Sequence, residues 1–334
     1  MGRRFISLLL LACMPSAFAA DGPRDQIYRD TTGLELRNRP IDRHERTVVV
    51  IHAGQSNRGT NLPTLYIPPH TRQIDNYNVD DGNLYEIKGP MLGTSFADPP
   101  RHPGNVSAMI DEQMIARHLA DRVISVTIAV DGSSIRQWSR GRLSGRLAEA
   151  VKSLRRHGIA PGPHVRFIVD WSQGPTDTRR KTPGFVWANE FRKVARQVPS
   201  ALWFVSRETW LVGVMSPSIR RAQVYVCDGQ RIFKSFNSDR LSQEYRDDRA
   251  GHYNDKGAAI VAAGVADSIM AHGPLFGHHS IYAHHDPRRR LKSVASTAPP
   301  LAPRRLRPRS SICATSSFGC RGSPDFARSS MRTM

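Results

Sequence analysis

The strongest constraint on the fold is an alternation. Short runs of β-branched and aromatic residues are separated by longer stretches with helical apolar spacing. Residues 47–51 (TVVVI), 123–129 (VISVTIA), 165–169 (VRFIV), 201–205 (ALWFV) and 223–226 (QVYV) are nearly all apolar and bounded by turn residues, which predicts strands buried on both faces. Residues 107–121, 143–157, 185–197 and 255–270 carry the helical spacing. In the first of these, Met109, Ile110, Met114 and Leu119 share one side, and Asp111, Glu112 and Arg117 are expected to face water. Strands and helices in this order predict an α/β fold: three α/β/α layers around a parallel, flavodoxin-like sheet of about five strands.

The ends and one internal stretch differ from this body. Residues 1–19 have a basic start at Arg3 and Arg4, an apolar run and a small-x-small site at Ala17-Phe18-Ala19, the pattern of an export signal. Residues 20–44 form an extension, 45–275 the folded domain, and 276–334 a Pro- and Arg-rich tail without core pattern, expected to be disordered. Residues 58–105, rich in Pro, Asn, Asp and Gly, show no sustained period and predict a long loop over the site. No later stretch has the ~20 apolar residues of a membrane helix. The expected location is therefore periplasmic or extracellular, with no transmembrane segment.

A formal charge of +19 raises the question of nucleic acid. Eleven basic and two acidic residues lie beyond Phe276, so nearly half of the excess belongs to the tail. On the body, acids and bases are interspersed, the pattern of a solvated surface, and no nucleic-acid partner is expected. Of the four cysteines, Cys13 falls in the signal, leaving Cys227, Cys313 and Cys320. An odd number leaves at least one thiol unpaired in an oxidising compartment. No Cys/His spacing reads as a metal site, and no cofactor motif is present.

In parallel sheets, ligands sit beyond the carboxyl ends of the strands, so reactive residues should follow the apolar runs. Gly54-Gln55-Ser56-Asn57 follows the first. A serine hydroxyl becomes a nucleophile only when a base takes its proton, which requires a tight turn within reach of a histidine. Asp131-Gly132-Ser133-Ser134, followed by Trp138, comes after the second; a backbone N–H at Gly132 can approach a bound carbonyl, and Trp138 can wall an acyl or sugar group. Trp171-Ser172-Gln173-Gly174-Pro175-Thr176-Asp177 comes after the third, with Gln173 a side-chain donor to an oxyanion and Asp177 a brace. Asp247-Asp248-Arg249-Ala250-Gly251-His252 precedes the last helix, placing a histidine beside carboxylates, as a Ser-His-Asp arrangement needs. The first two blocks, taken singly, are explained as well by an ordinary turn; a lone histidine is usually structural, and it is the position of His252 in a loop facing the same end of the sheet that favours the catalytic reading.

Together and in order, these four blocks resemble the SGNH hydrolases, in particular the branch of sialate O-acetylesterases and of acetylxylan esterases of carbohydrate esterase family six. The resemblance spans about residues 45–272 and shares Gly-Gln-Ser-Asn after the first strand, a Gly/Ser-Ser-Ile-x-x-Trp block, a Trp-x-Gln-Gly block and a histidine before the final helix. It implies Ser56 as nucleophile, His252 as base, and the Ser56 amide, Gly132 and Gln173 as oxyanion donors. Gln55, Asn57, Ser133 and Trp138 would line the substrate. Two positions depart from the pattern: Pro175 stands where the branch has Glu, and Arg249 where it has the aspartate of Asp-x-x-His. Asp248, one residue earlier, is the candidate third member, with Asp247 or a backbone carbonyl as alternatives. The activity implied is an exported esterase that removes acetyl groups from carbohydrates or another small ester, without metal or cofactor. A general short-chain esterase, an acetyltransferase and a non-catalytic glycan binder are the alternatives.

Overall fold

The computed structural model describes residues 27–95, 102–248, 251–272 and 275–276. The signal-like segment, Arg249 and the tail beyond Phe276 lie outside the described residues. Nine strands and seven helices are assigned among the described residues. The strands are β1 (Thr47–Gly54), β2 (Thr60–Leu62), β3 (Ile74–Tyr77), β4 (Leu84–Glu86), β5 (Gly104–Asn105), β6 (Arg122–Thr127), β7 (Val165–Ser172), β8 (Leu202–Arg207) and β9 (Ile232–Asn237). The helices are α1 (Val106–Ala116), α2 (Ile135–Arg140), α3 (Arg146–Arg156), α4 (Pro175–Arg179), α5 (Gly184–Ala195), α6 (Pro217–Tyr225) and α7 (Asp255–Ala271).

Seven strands form one sheet in the order β4-β3-β6-β1-β7-β8-β9, and β2 pairs with β5 in a separate ribbon. The sheet is parallel except for β4, which runs against β3. The five strands from β6 to β9 have the flavodoxin-like order, with β1 central. All eight residues of β1 are buried, and alternate side chains enter opposite layers. Val49, Ile51 and Ala53 join the core beneath α2, α3, α5 and α6; Val48 and Val50 join the core beneath α1 and α7. On the first side, Trp138, Trp171, Trp187 and Trp203 are fully buried. Trp171 packs edge-on against Trp138 and Phe191, at centroid distances of 5.4 and 5.8 Å, and Trp187 stacks on Phe191 at 5.3 Å. This is the three-layer α/β/α architecture expected.

Three expectations are corrected. Residues 223–226 are not a strand: they lie in and just beyond α6, which starts with Pro217 in its first turn and with the Ser216 hydroxyl accepting the Ile219 N–H at 3.3 Å. The edge position beyond β8 goes to β9 instead, whose pattern is interrupted by the exposed Lys234. The sheet has seven strands rather than about five, because β3 and β4 arise inside the stretch read as a loop. They are polar in sequence, and a buried ion pair between Asp75 and Arg122, at 2.7 Å, seats Asp75 beside β6. The third correction concerns α1, where Asp111 and Glu112 are buried rather than facing water.

Candidate active site

β1 ends against β7 so closely that a side chain at Gly54 would stand 2.0 Å from the Ser172 carbonyl oxygen, and Gly54 has φ +119°. Only glycine meets both conditions. The chain then turns: the Gln55 N–H donates to the Ser172 carbonyl at 2.9 Å, and a single 3₁₀ turn, Ser56–Arg58, presents Ser56 at the carboxyl end of the sheet. From the far end of the domain, the loop before α7 folds back to meet it. Asn254 caps α7 by accepting the Gly257 N–H at 2.9 Å, and the Asp247 N–H donates to the His252 carbonyl at 2.9 Å.

Across this junction Ser56 Oγ lies 2.8 Å from His252 Nε2, and His252 Nδ1 lies 2.7 Å from Asp248 Oδ2. A carboxylate only accepts, so Nδ1 carries a proton directed at Asp248. In the neutral ring, Nε2 is then free to accept from Ser56. The other oxygen of Asp248 accepts the N–H groups of Gly251 and His252 at 2.8 and 3.0 Å. Asp247 turns away, to His102 at 3.2 Å. Of the alternatives left open by the sequence, Asp248 is thus the carboxylate within reach.

The electrostatics follow. Burial, the largest influence, raises the Asp248 pKa, but the hydrogen bonds and charge of His252 and two backbone amides outweigh it and hold the acid down at about 2. For His252, burial lowers the pKa, yet the bond and charge of Asp248, with Asp131 and Glu208 further off, leave it above the ordinary imidazole value.

The remaining predicted residues surround this junction in different ways. Gly132, at φ +63°, sits on the turn after β6, partly exposed. Ser133 is buried; its hydroxyl donates to the Gly54 carbonyl at 3.1 Å and receives the indole N–H of Trp138 at 2.8 Å. Trp138 is therefore core rather than a wall of the site. The Gln55 side-chain oxygen receives the N–H groups of Gly174 and Thr176, both at 3.3 Å, and binds the turn to the loop after β7. Gln173, expected to donate to an oxyanion, is fully buried and occupied: its amide N–H groups go to Asp177 at 2.5 Å and to the Ser133 carbonyl at 3.2 Å. Its oxygen accepts from Trp187 at 2.7 Å. It braces the floor. Asp177 braces as expected, also accepting the Ile135 N–H at 2.8 Å.

Some neighbours of this junction were not among the expected residues. Glu208, just beyond β8, is buried, and its carboxylate accepts from both the Asn57 amide and the Ser172 hydroxyl. It follows an apolar strand run, so the same positional rule that identified the other blocks reaches it. Arg246 is a second such residue. Its guanidinium holds the carbonyls of Gly251 and Ser238 at 2.7 and 2.9 Å, under the ring of Trp210 at 4.8 Å, and so steadies the loop of His252. Among the described residues, no group of three or more His, Cys, Asp and Glu side chains is arranged for a metal ion, and no helix is long and apolar enough to cross a membrane.

No family model matches the chain, and no curated protein matches it. Among solved structures, it is similar to a protein from Arabidopsis thaliana with a TM-score of 0.52 and 15% identity, covering 68% of this chain and 98% of that one. It is also similar to Est24, a carbohydrate acetylesterase from Sinorhizobium meliloti, with a TM-score of 0.38, 15% identity and coverage of 68% and 99%. A third is a member of the lipolytic G-D-S-L family from Veillonella parvula, with a TM-score of 0.38, 12% identity and coverage of 67% and 98%. The first of these likenesses is one of fold.

Proposed function

We propose that the chain is a serine hydrolase that cleaves carboxylic esters, acetyl esters of carbohydrates foremost, through an acyl-enzyme. The observation that carries this reading is the unbroken relay from Ser56 Oγ to His252 Nε2 at 2.8 Å and from His252 Nδ1 to Asp248 at 2.7 Å. His252 takes the Ser56 proton as Oγ attacks the ester carbonyl carbon, and Asp248 stabilises the imidazolium. The imidazolium then protonates the departing alcohol, leaving acyl-Ser56. Water, deprotonated by His252, releases the carboxylic acid and restores Ser56. The backbone amides of Ser56 and Gly132 are the oxyanion donors in this reading, and Gln173 acts by bracing them rather than by donating.

The carbohydrate acetyl ester rests on the order and content of the four motif blocks, as does the placement near the sialate O-acetylesterase branch. Export to the periplasm or the extracellular space belongs to the same proposal and rests on residues 1–19. The test is turnover of p-nitrophenyl acetate, followed by acetylated glycans, with fluorophosphonate labelling of the active serine. Ser56→Ala should abolish labelling and lower kcat by on the order of 10⁶. Labelling that persists in Ser56→Ala would overturn the assignment.

A further inference from the structure

Beneath the nucleophile turn, on the α1 and α7 side, the core is ionic rather than apolar. His52, Arg58, Asp111 and Asp170 come from β1, the nucleophile turn, α1 and β7, and their side chains are all fully buried. His52 Nδ1 lies 3.0 Å from Asp170 and Nε2 lies 3.0 Å from Asp111. Both ring nitrogens face carboxylate oxygens, which accept and do not donate, so both carry protons and the ring is an imidazolium. Burial, the largest influence, opposes that charge; Asp111 and Asp170 overcome it and raise the imidazole pKa to about 9. The four groups then balance, two positive and two negative.

Arg58 is the member that touches the site. It clasps Asp170 with Nε and with Nη2 at 3.1 Å, and Nη2 also reaches the Ser206 hydroxyl on β8 at 3.1 Å. Its Nη1 donates to the carbonyl of Asn57, the residue after the nucleophile, at 3.1 Å. Apolar side chains would fill this volume without desolvating four charges, at equal or better stability. What they would not supply is a donor for the Asn57 carbonyl.

Resting on the serine-hydrolase reading, we infer that Arg58 is a positioning residue that fixes the Ser56 turn through the Asn57 carbonyl and Asp170, and that the His52–Asp111 pair, itself neutral, holds Asp170 in place as the counter-ion of that buried guanidinium. The clasp locks the orientation of the Asn57–Arg58 peptide, one residue beyond Ser56, and through this single 3₁₀ turn the direction in which Oγ meets His252. An error of about 1 Å in that direction costs roughly 10²-fold in rate.

The test separates position from charge. Arg58→Met leaves two buried acids against one base and should lower Tm by about 10 °C. Arg58→Met/Asp170→Asn restores the balance with side chains of matching size. Tm should recover, while fluorophosphonate labelling of Ser56 and kcat remain about 10²-fold down and KM stays within about threefold. If labelling recovers along with Tm, the network serves stability alone and the inference is overturned. If the double variant does not fold, Arg58→Lys decides. It keeps the charge but lacks the fork that spans Asp170 and the Asn57 carbonyl, so labelling should slow by roughly 10-fold; an unchanged rate overturns the inference. Absence of Ser56 labelling in the unaltered protein overturns the hydrolase reading itself, and this inference with it, before any variant is compared.

Discussion

Replacing Asp248 by asparagine alters a single atom of the relay and reverses one hydrogen bond. The oxygen that accepts the Gly251 and His252 N–H groups at 2.8 and 3.0 Å can be kept, so the loop has no reason to unfold. The other position, 2.7 Å from Nδ1, becomes an NH₂ facing an N–H. The ring escapes the conflict by moving its proton to Nε2, which then donates to Ser56 instead of accepting from it. Restoring the working tautomer sacrifices a charge-assisted bond and sets donor against donor, about 3–5 kcal/mol together or roughly 10²–10⁴ in rate. The Asp248 side chain is 42% exposed, so water screens part of the charge and the lower half of that range applies, about 10²–10³. Asp247, 33% exposed and paired with His102, should tolerate the same change within about threefold. Both variants should be assayed for kcat on p-nitrophenyl acetate near pH 8, with Tm measured alongside. A folded Asp248→Asn that keeps more than about a third of kcat, or a larger loss for Asp247→Asn, refutes the reasoning.

Other expectations can be measured on the same protein. A histidine base works only when neutral, and the His252 pKa is raised, so on the proposed mechanism the acid limb of kcat/KM should lie above the ordinary imidazole value of 6.5. That limb should move down in Asp248→Asn, where burial is left with less opposition. Because Asp248 stays ionised to about pH 2, its own titration should leave no step in the profile above pH 4 or so. Gly54→Ala places a methyl 2.0 Å from the Ser172 carbonyl oxygen at φ +119°. We expect a loss of about 3 kcal/mol or more, seen as a lower Tm, together with loss of Ser56 labelling. A chain ending at Phe276 should keep its Tm and activity, whereas one ending at His272 should melt lower. The latter loses the Leu275 carbonyl held by Arg166 at 2.7 Å and the Phe276 ring beneath the same guanidinium.

The elements that could be read from sequence were those whose burial is apolar. TVVVI and VRFIV are long enough, and apolar enough on both faces, to be central strands in any α/β fold. QVYV was not decidable in isolation, since four apolar-leaning residues fit one face of a helix as well as a strand; the Ser216-Pro217 start upstream was the discriminating signal. β3 escaped because Asp75 and Asn76 are polar, and their burial depends on Arg122 and on pairing with β6, contacts set by tertiary structure. The convergence of Ser56, His252 and Asp248 was legible because position at the carboxyl ends of strands is a property of topology. The particular work of Gln173, Ser133 and Trp138 was not: residue type says what a side chain can donate, while the fold decides which neighbour receives it. Asp111 makes the same point, since a carboxylate reads as solvent-facing until a buried cation on another element is known.

The tryptophan distribution turns the protein into its own optical instrument. The chain has five tryptophans. Trp138, Trp171, Trp187 and Trp203 are sealed in one apolar layer, where their emission should be short in wavelength and change chiefly when that layer comes apart. Trp210 alone is part-buried, lying against Arg246 and within reach of Gly251 beside His252. Its signal answers to the loop of His252 and not to the core. With Trp210→Phe as the subtraction control, steady-state fluorescence can follow movement of that loop during turnover while the other four indoles serve as an internal reference for the folded state.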